Sequence, residues 1–232
     1  RILVPDLRGH GATTLAADAA WREDWSDLVA DILVLLGVLG VADAVMAGHS
    51  MGGTVALLAA AEAPTLARRL LLVDPVVLPP GERISPRSVG SVHSPLYVGA
   101  LKRRREFADR AAALSAYRER GAFAGWREEM LADYIDAGFR TSGDRVRLAC
   151  APEWEASNYL AHGHDPWAAL TRYPGPIDIL RAAEGSACAI DEAAAASLAP
   201  GRIRVRTFPD ATHFLPMCDP ETVRGALAAA LA

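Results

Sequence analysis

The sequence has few cysteines, and almost none of its basic residues is a lysine. Its 232 residues include the three cysteines Cys150, Cys188 and Cys218, and Lys102 is the single lysine among 24 basic residues. The cysteines are odd in number, far apart and without the spacing of metal ligands, so neither a disulfide framework nor a metal site is predicted. A reducing, cytoplasmic location is the expectation that follows.

The charge and the motifs that the sequence lacks exclude several kinds of binding partner. A net charge of −4 and an isoelectric point near 5.9 give no electrostatic basis for binding nucleic acid. The sequence has no Gly-rich phosphate loop and no cluster of histidine and cysteine, so no nucleotide, flavin or metal cofactor is predicted. A small-molecule substrate remains as the expected partner, and the oligomeric state is left open.

No membrane association is predicted. Residues 44–61 carry no formal charge, but they contain His49, Ser50 and three glycines near their centre, which argues against a membrane span. The apolar run at 32–42 is too short to cross a bilayer. Residues 1–4 have the pattern of a strand rather than of a secretory leader.

The most informative stretch is residues 43–61, DAVMAGHSMGGTVALLAAA. It predicts a buried strand, an abrupt turn at Ser50 and a helix that begins at once, and residues 48–52 fit the G-x-S-x-G nucleophile elbow. Such a turn strains the serine backbone and brings the strand close to the helix. Gly48 and Gly52 are expected to provide the bare positions that this approach needs, and Gly53 keeps the next position small.

Two motifs together carry a family resemblance. The sequence PDLRGHG at 5–11 is followed about 40 residues later by GHSMGG at 48–53, and this pair resembles the α/β-hydrolase superfamily. The resemblance implies an α/β fold with a mostly parallel, doubly wound sheet and a helical cap inserted after the strand that follows the nucleophile helix. Because members normally have further strands upstream, the chain is expected to be truncated at its N-terminus, without one of the two oxyanion donors.

Hydrophobic spacing predicts the elements in chain order. With 51% hydrophobic and 22% charged residues, the chain is typical of a globular core with an inserted subdomain. Strands are predicted at 1–4, 43–49, 69–74, 176–181 and 203–208, and a loop is predicted at 209–214. Helices are predicted at 21–39, 51–62, 103–120, 126–139, 154–160, 191–198 and 220–231.

The predicted domain division is a first core part at 1–80, a helical cap at 81–168 and a second core part at 169–232. Within the cap, Trp126, Tyr134 and Trp154 are candidates for an apolar substrate pocket. The alternative, packing of the same rings inside the cap, stays open because they recur at helical spacing.

A serine hydroxyl needs a base within hydrogen-bond reach, and that base needs a third group to orient it. His213 follows the last predicted strand, where the fold's Ser, Asp/Glu, His order puts the base. His49 adjoins Ser50, but its side chain is expected to point away from the nucleophile. Ser50 and His213 are therefore predicted as nucleophile and base, with the Met51 backbone N–H as an oxyanion donor.

The acid is harder to assign from the sequence. Many relatives carry an aspartate just after the strand that corresponds to 176–181, but Ser186 stands where that aspartate is expected. The resemblance also allows an acid at the end of the strand after the nucleophile helix, where Asp74 lies. The carboxyl end of a parallel strand is where α/β sheets hold ligand-facing groups. Asp74 is predicted as the acid, with Glu184 and Asp191 as the alternatives.

These assignments predict a serine hydrolase that cleaves a small or medium apolar ester, thioester or lactone through an acyl-enzyme. A serine at the elbow argues against the dehalogenases and epoxide hydrolases of the same fold, which use aspartate there. Two alternatives remain: a carbon–carbon bond hydrolase with the same triad, and a non-catalytic protein that binds a ligand.

Overall fold

The computed structural model describes residues 1–20, 22–82, 84 and 94–232. The chain divides into two compact units. The first unit contains Arg1–Leu28 and Ile84–His164, and the second contains Val29–Arg83 and Asp165–Ala232. The three-part division at 80 and 168 stays a prediction.

The helices and strands alternate through much of the chain. The helices are α1 Ser26–Val38, α2 Met51–Glu62, α3 Pro95–Leu101, α4 Arg110–Tyr117, α5 Glu128–Gly138, α6 Pro152–Asn158, α7 Pro166–Arg172, α8 Glu192–Leu198, α9 Leu215–Cys218 and α10 Pro220–Leu231. The strands are β1 Ala44–His49, β2 Ala67–Val73, β3 Glu106–Phe107, β4 Phe139–Ser142, β5 Arg145–Leu148, β6 Ile177–Glu184 and β7 Ile203–Thr212. Within the residues that the structure describes, no helix is both long and apolar enough to span a bilayer.

The second unit is built on a parallel sheet with the strand order β1-β2-β6-β7. Leu70, Leu72, Ile177 and Ile179 are each at most 1% exposed. Helices flank the sheet, and α2 and α7 contribute side chains to the same hydrophobic cluster as β2 and β6. This parallel architecture confirms the predicted α/β class, whereas the helical cap stays a prediction. The continuous apolar run in β2 is explained by its central position.

The last strand is longer than predicted. β7 runs to Thr212, so the predicted loop at 209–214 is wrong over most of its length. Among the described strands, β7 pairs only with β6. The register shifts between Ala182 and Glu184, opposite the part of β7 that contains Pro209. Proline lacks an N–H, and an edge strand with a register irregularity accommodates that loss. The missed helix α9 follows two residues after β7.

The strand predicted at 1–4 is also wrong. These residues form no strand, and the side chains of Ile2 and Val4 are 85% and 87% exposed. A strand is held by hydrogen bonds to a neighbour, and none of the described strands pairs with this segment. Apolar composition alone therefore does not produce a strand here.

The first unit contains a small antiparallel sheet with the order β3-β5-β4. The sequence pattern predicts helices in this part of the chain and does not predict this sheet. Its hairpin has a recognisable signal: Val146 and Leu148 alternate with arginines just after a turn that contains Gly143, whose φ is +63°. The strands and the helices α4 and α5 share a cluster that includes Phe107, Ile135 and Val146.

The helix predicted at 21–39 begins later, at Ser26, and residue 21 lies outside the described residues. A side-chain contact explains the later start. The Asp24 carboxylate accepts a hydrogen bond from the Ser26 N–H at 2.9 Å. Such a local side-chain contact competes with helical pairing and favours a helix start instead.

Candidate active site

Ser50 occupies the single position between β1 and α2. Its φ is +52° and its ψ is −125°, a conformation that costs a non-glycine residue roughly 1–3 kcal/mol. The Ser50 N–H donates to the Val73 carbonyl oxygen at 3.0 Å, which ties the turn to β2. The Ser50 carbonyl oxygen accepts from the N–H groups of Gly53 and Thr54, both at 3.1 Å, so α2 begins at this residue.

The strand and the helix approach each other closely at Gly48. A Cβ atom at Gly48 would lie 2.4 Å from the Gly52 carbonyl oxygen, and one at Gly53 would lie 2.8 Å from the Gly48 carbonyl oxygen. A Cβ at Gly52 would meet nothing within 4 Å. The predicted need for bare positions thus holds at Gly48 and Gly53, whereas the expectation for Gly52 is wrong because that position faces open space.

Asp74 directly follows β2, beside Ser50 in the sheet register. Its side chain is fully buried, and its φ is +41°. The Asp74 N–H donates to the Leu180 carbonyl oxygen at 2.7 Å, which continues the pairing of β2 with β6 past the end of the strand. The sheet thereby brings Ser50 and Asp74 to the carboxyl ends of neighbouring parallel strands.

His213 follows β7 and joins the other two side chains. Its Nε2 lies 2.9 Å from the Ser50 Oγ, and its Nδ1 lies 2.6 Å from the Asp74 Oδ2. The imidazole side chain is 21% exposed. The three residues predicted as nucleophile, acid and base therefore form one continuous chain of hydrogen bonds within the second unit.

The Asp74 carboxylate accepts four hydrogen bonds. Its Oδ1 accepts from the Ala182 N–H at 2.9 Å and from the Ser186 hydroxyl at 2.6 Å. Its Oδ2 accepts from the Ala187 N–H at 3.0 Å and from His213. Burial by itself would raise the pKa of Asp74, but these four hydrogen bonds outweigh it and hold the pKa below its usual value. The group is thus held as a carboxylate that can orient an imidazole.

His49 contacts the backbone carbonyl group and the ring of His213. Its Nε2 lies 2.7 Å from the His213 carbonyl oxygen, and the two ring centroids are 4.8 Å apart. Burial, followed by the proximity of His213, lowers the pKa of His49 to about 4. A neutral ring with its proton on Nε2 is the form that can donate to the carbonyl. As expected, His49 does not bond to the nucleophile, but its contact with the His213 backbone was not predicted.

His162, like His49, has a pKa that is lowered by burial, so its effect on stability can be measured away from this site. His162, in the first unit, is 8% exposed, and burial lowers its pKa to about 4. In the unfolded chain both rings protonate near pH 6.5. Between pH 6.5 and 4 the unfolded state therefore binds more protons, so the free energy of unfolding should fall as the pH is lowered, by up to about 1.4 kcal/mol per pH unit for each histidine.

The measurement is urea denaturation across this pH range, with His162→Asn as the matched variant. In the variant, the slope of the free energy of unfolding against pH should be smaller by up to about 1.4 kcal/mol per pH unit. An identical slope in the variant and the natural protein would contradict the assignment. Because the slope is compared, a loss of packing at the substituted position does not affect the conclusion.

The two alternative acids lie in other contacts. Glu184 is the last residue of β6, is exposed, and pairs with Thr212 in the ladder. The Asp191 carboxylate accepts from the Ala194 N–H at 2.8 Å and caps the start of α8. The His213 Nδ1 is thus paired with Asp74, and Asp191 has a structural role that accounts for its position.

The aromatic residues predicted to line a substrate pocket lie in the first unit. The rings of Trp126 and Tyr134 are 5.7 Å apart, and the Tyr134 hydroxyl lies 3.4 Å from an Arg103 guanidinium nitrogen. Trp154 is 2% exposed, with the Arg22 guanidinium 3.9 Å from its ring centroid. These contacts describe packing inside the first unit, and the role of the three rings in substrate binding stays a prediction.

The contact of Ser186 with Asp74 and that of His49 with the His213 backbone could not be read from the sequence. One sequence feature pointed to Ser186: it stands where many relatives carry their acid. His49 had none beyond its position next to Ser50. Among residues 1–20, 22–82, 84 and 94–232, no group of three or more His, Cys, Asp or Glu side chains is arranged to hold a metal ion.

Comparisons with known proteins agree with this fold. The chain is 34% identical over 146 residues to the sn-1-specific diacylglycerol lipase ABHD11 of Mus musculus, an alignment that covers 61% of this chain and 44% of the lipase. It is 33% identical over 129 residues to the N-formylmaleamate deformylase of Pseudomonas putida, covering 56% of this chain and 43% of the deformylase. These alignments span less than half the length of either relative.

A solved structure extends the likeness over most of the chain. The crystal structure of E-2-(acetamidomethylene)succinate hydrolase superposes with a TM-score of 0.78 at 22% sequence identity, covering 97% of this chain and 79% of that one. At this identity the superposition establishes the fold alone. A family profile described as the alpha/beta hydrolase family matches residues 1–226. With that match over nearly its whole length, the chain belongs to the alpha/beta hydrolase family.

Proposed function

We propose that the protein is a serine hydrolase that cleaves a carboxylic ester, thioester or lactone through an acyl-enzyme intermediate. The observation that carries the proposal is the chain of hydrogen bonds from the Ser50 Oγ through His213 to Asp74, with distances of 2.9 and 2.6 Å. These are hydrogen-bond distances for a nucleophile, a base and the group that orients the base. The strained φ of Ser50 supports the same role, because such strain collects at functional positions.

In the proposed reaction, the Ser50 Oγ attacks the substrate carbonyl carbon while the His213 Nε2 accepts the serine proton. The tetrahedral intermediate collapses to the acyl-enzyme as His213 gives that proton to the leaving group. Water then attacks the acyl carbon with His213 again as base, which releases the acid and restores the Ser50 hydroxyl. Throughout, Asp74 holds the Nδ1 proton of the imidazole and balances its charge.

The developing oxyanion requires hydrogen-bond donors. Met51 is the first residue of α2, and the first N–H groups of a helix have no partner four residues back. Its N–H is the proposed donor from this turn, and the positive end of the helix dipole favours negative charge beside it. One such donor contributes about 3–4 kcal/mol to transition-state stabilisation in comparable enzymes.

The proposed substrate class follows from the chemistry of two relatives. One relative is a diacylglycerol lipase and another is an N-formylmaleamate deformylase, so an acyl group on oxygen or nitrogen is the shared chemistry. An ester is the proposed substrate because it is the less demanding acyl compound for a serine nucleophile, and p-nitrophenyl butyrate is the probe for it.

Covalent labelling tests the nucleophile independently of the substrate. A fluorophosphonate probe should label the natural protein at Ser50, identified by mass spectrometry of the modified peptide, and should not label Ser50→Ala. Ser142→Ala, a serine of β4 in the first unit, is the matched control and should label like the natural protein. Folded natural protein that neither labels nor hydrolyses p-nitrophenyl butyrate would overturn the proposal and favour a non-catalytic ligand-binding role. Labelling without ester hydrolysis would instead favour another bond, such as carbon–carbon.

A further inference from the structure

We propose that Ser186 is a positioning residue that fixes the Asp74 carboxylate in the orientation in which it holds His213. This inference rests on the proposed function for its catalytic meaning. The contacts among the side chains of Ser186, Asp74 and His213 do not depend on that function.

The Ser186 hydroxyl donates to Asp74 and accepts from the backbone of Cys188. The Ser186 Oγ accepts from the Cys188 N–H at 3.0 Å and lies 2.6 Å from the Asp74 Oδ1. Because an ionised carboxylate can only accept, the Ser186 hydroxyl proton is the donor in this contact, while the same oxygen accepts from the Cys188 N–H. The other acceptor within reach, the Cys188 carbonyl oxygen, is farther away at 3.4 Å.

The segment around Ser186 forms a cradle for the carboxylate. The N–H groups of Ala182 and Ala187 donate to Oδ1 and Oδ2, at 2.9 and 3.0 Å, so three of the four donors to Asp74 come from residues 182–187. Gly185 has a φ of +58°, a left-handed conformation that glycine adopts without strain, and it turns the chain back toward Asp74. Ser186 provides the only donation by a side chain within this cradle.

The contact with Ser186 limits rotation of the Asp74 carboxylate about its χ2 angle. With Oδ1 held by Ser186 and Ala182, the carboxylate presents Oδ2 to the His213 Nδ1. Torsions that end in a planar group are broad and only roughly two-fold, so the Asp74 χ2 angle needs such contacts to be fixed. Removal of the Ser186 hydroxyl leaves Oδ1 with a single N–H donor on a fully buried side chain. The carboxylate plane, and with it the imidazole, should then be less well fixed.

Kinetics of p-nitrophenyl butyrate hydrolysis test the positioning role. Ser186→Ala should lower kcat by roughly 10- to 100-fold while KM changes by less than about 2-fold, because the lost hydrogen bond to a charged group orients the catalytic groups and does not touch substrate. Ser186→Thr keeps a hydroxyl and should recover most of the lost kcat. Glu184→Gln, two residues earlier and exposed, is the matched control and should leave both constants within about 3-fold of the natural values.

A spectroscopic readout separates this inference from the proposed function. The proton between His213 Nδ1 and Asp74 should give a downfield ¹H NMR resonance, assigned by its absence in His213→Gln. That resonance should shift or broaden in Ser186→Ala and return in Ser186→Thr, whether or not the protein hydrolyses an ester. An unchanged resonance together with unchanged kcat in folded Ser186→Ala would overturn the positioning role. Natural protein without esterase activity but with a resonance that responds to Ser186 would overturn the proposed function alone.

Discussion

Asp74→Asn is expected, under the proposed function, to lower kcat for p-nitrophenyl butyrate by roughly 10⁴-fold, the size of loss seen when the triad aspartate of a serine protease is replaced in this way. An amide cannot accept on both sides as the carboxylate does. It would place its NH₂ group either at the Oδ2 position, facing the His213 Nδ1, or at the Oδ1 position, facing the Ala182 N–H. In the first orientation Nδ1 has to accept, so the ring proton lies on Nε2, which can no longer accept the Ser50 proton. In the second orientation two N–H donors face each other, which disturbs the side chain that orients His213.

Two substitutions control this prediction. Glu184→Gln and Asp191→Asn remove the alternative acids, and each should leave kcat within about 3-fold of the natural value because neither side chain bonds to His213. Circular dichroism should show that all three variants are folded. A large loss in Glu184→Gln or Asp191→Asn, with Asp74→Asn nearly unaffected, would move the acid from the end of β2 to the end of β6 or to the segment after it.

Gly48→Ala is expected to reduce the free energy of unfolding by about 3 kcal/mol or more. The added Cβ would lie 2.4 to 2.6 Å from backbone atoms of Gly52 and Gly53. No rotamer change can relieve contacts with backbone, so β1 and α2 must separate, and their separation also displaces Ser50. For a chain of this length such a loss lowers Tm by roughly 6–12 °C, measurable by calorimetry or thermal circular dichroism.

Gly52→Ala is the matched comparison, because the same methyl group enters the same motif four residues later. A Cβ there meets nothing within 4 Å, and alanine is favoured over glycine inside a helix by roughly 0.5–1 kcal/mol. The variant should therefore be as stable as the natural protein or slightly more stable. Equal stability of Gly48→Ala and Gly52→Ala would refute the close approach of strand and helix.

The parts of the site that the sequence predicted are those set by local pattern. The elbow is a strand, a turn and a helix within 19 residues. The apolar run at 69–73 predicts the strand before Asp74, and the alternation of arginine with apolar residues at 203–208 predicts most of the strand before His213. Once these strands are parallel, their carboxyl ends lie at one edge, so Ser50, Asp74 and His213 meet there. The choice among three possible acids depended on the same geometry.

The remaining contacts depend on distances that no pattern encodes. Whether Ser186 reaches Asp74 depends on the backbone turn at Gly185, and whether His49 reaches the His213 carbonyl depends on where β7 ends. The length of β7 was underestimated because Pro209 is normally excluded from strands, and only its place at a sheet edge makes it acceptable. The small antiparallel sheet of the first unit was missed because its strands have at most four residues.

The site is assembled from one local and one distant piece of chain. Ser50 and Asp74 belong to a single strand–helix–strand segment, whereas His213 lies 139 residues beyond Asp74. Closing a loop of that length loses conformational entropy that short-range pairing does not, so the imidazole is expected to be the last of the three to arrive during folding. A serine without its base is a weak nucleophile. Under the proposed function, Ser50 would therefore react with acyl compounds only after β7 has joined the sheet. Incompletely folded or incompletely synthesised chains would not catalyse the reaction.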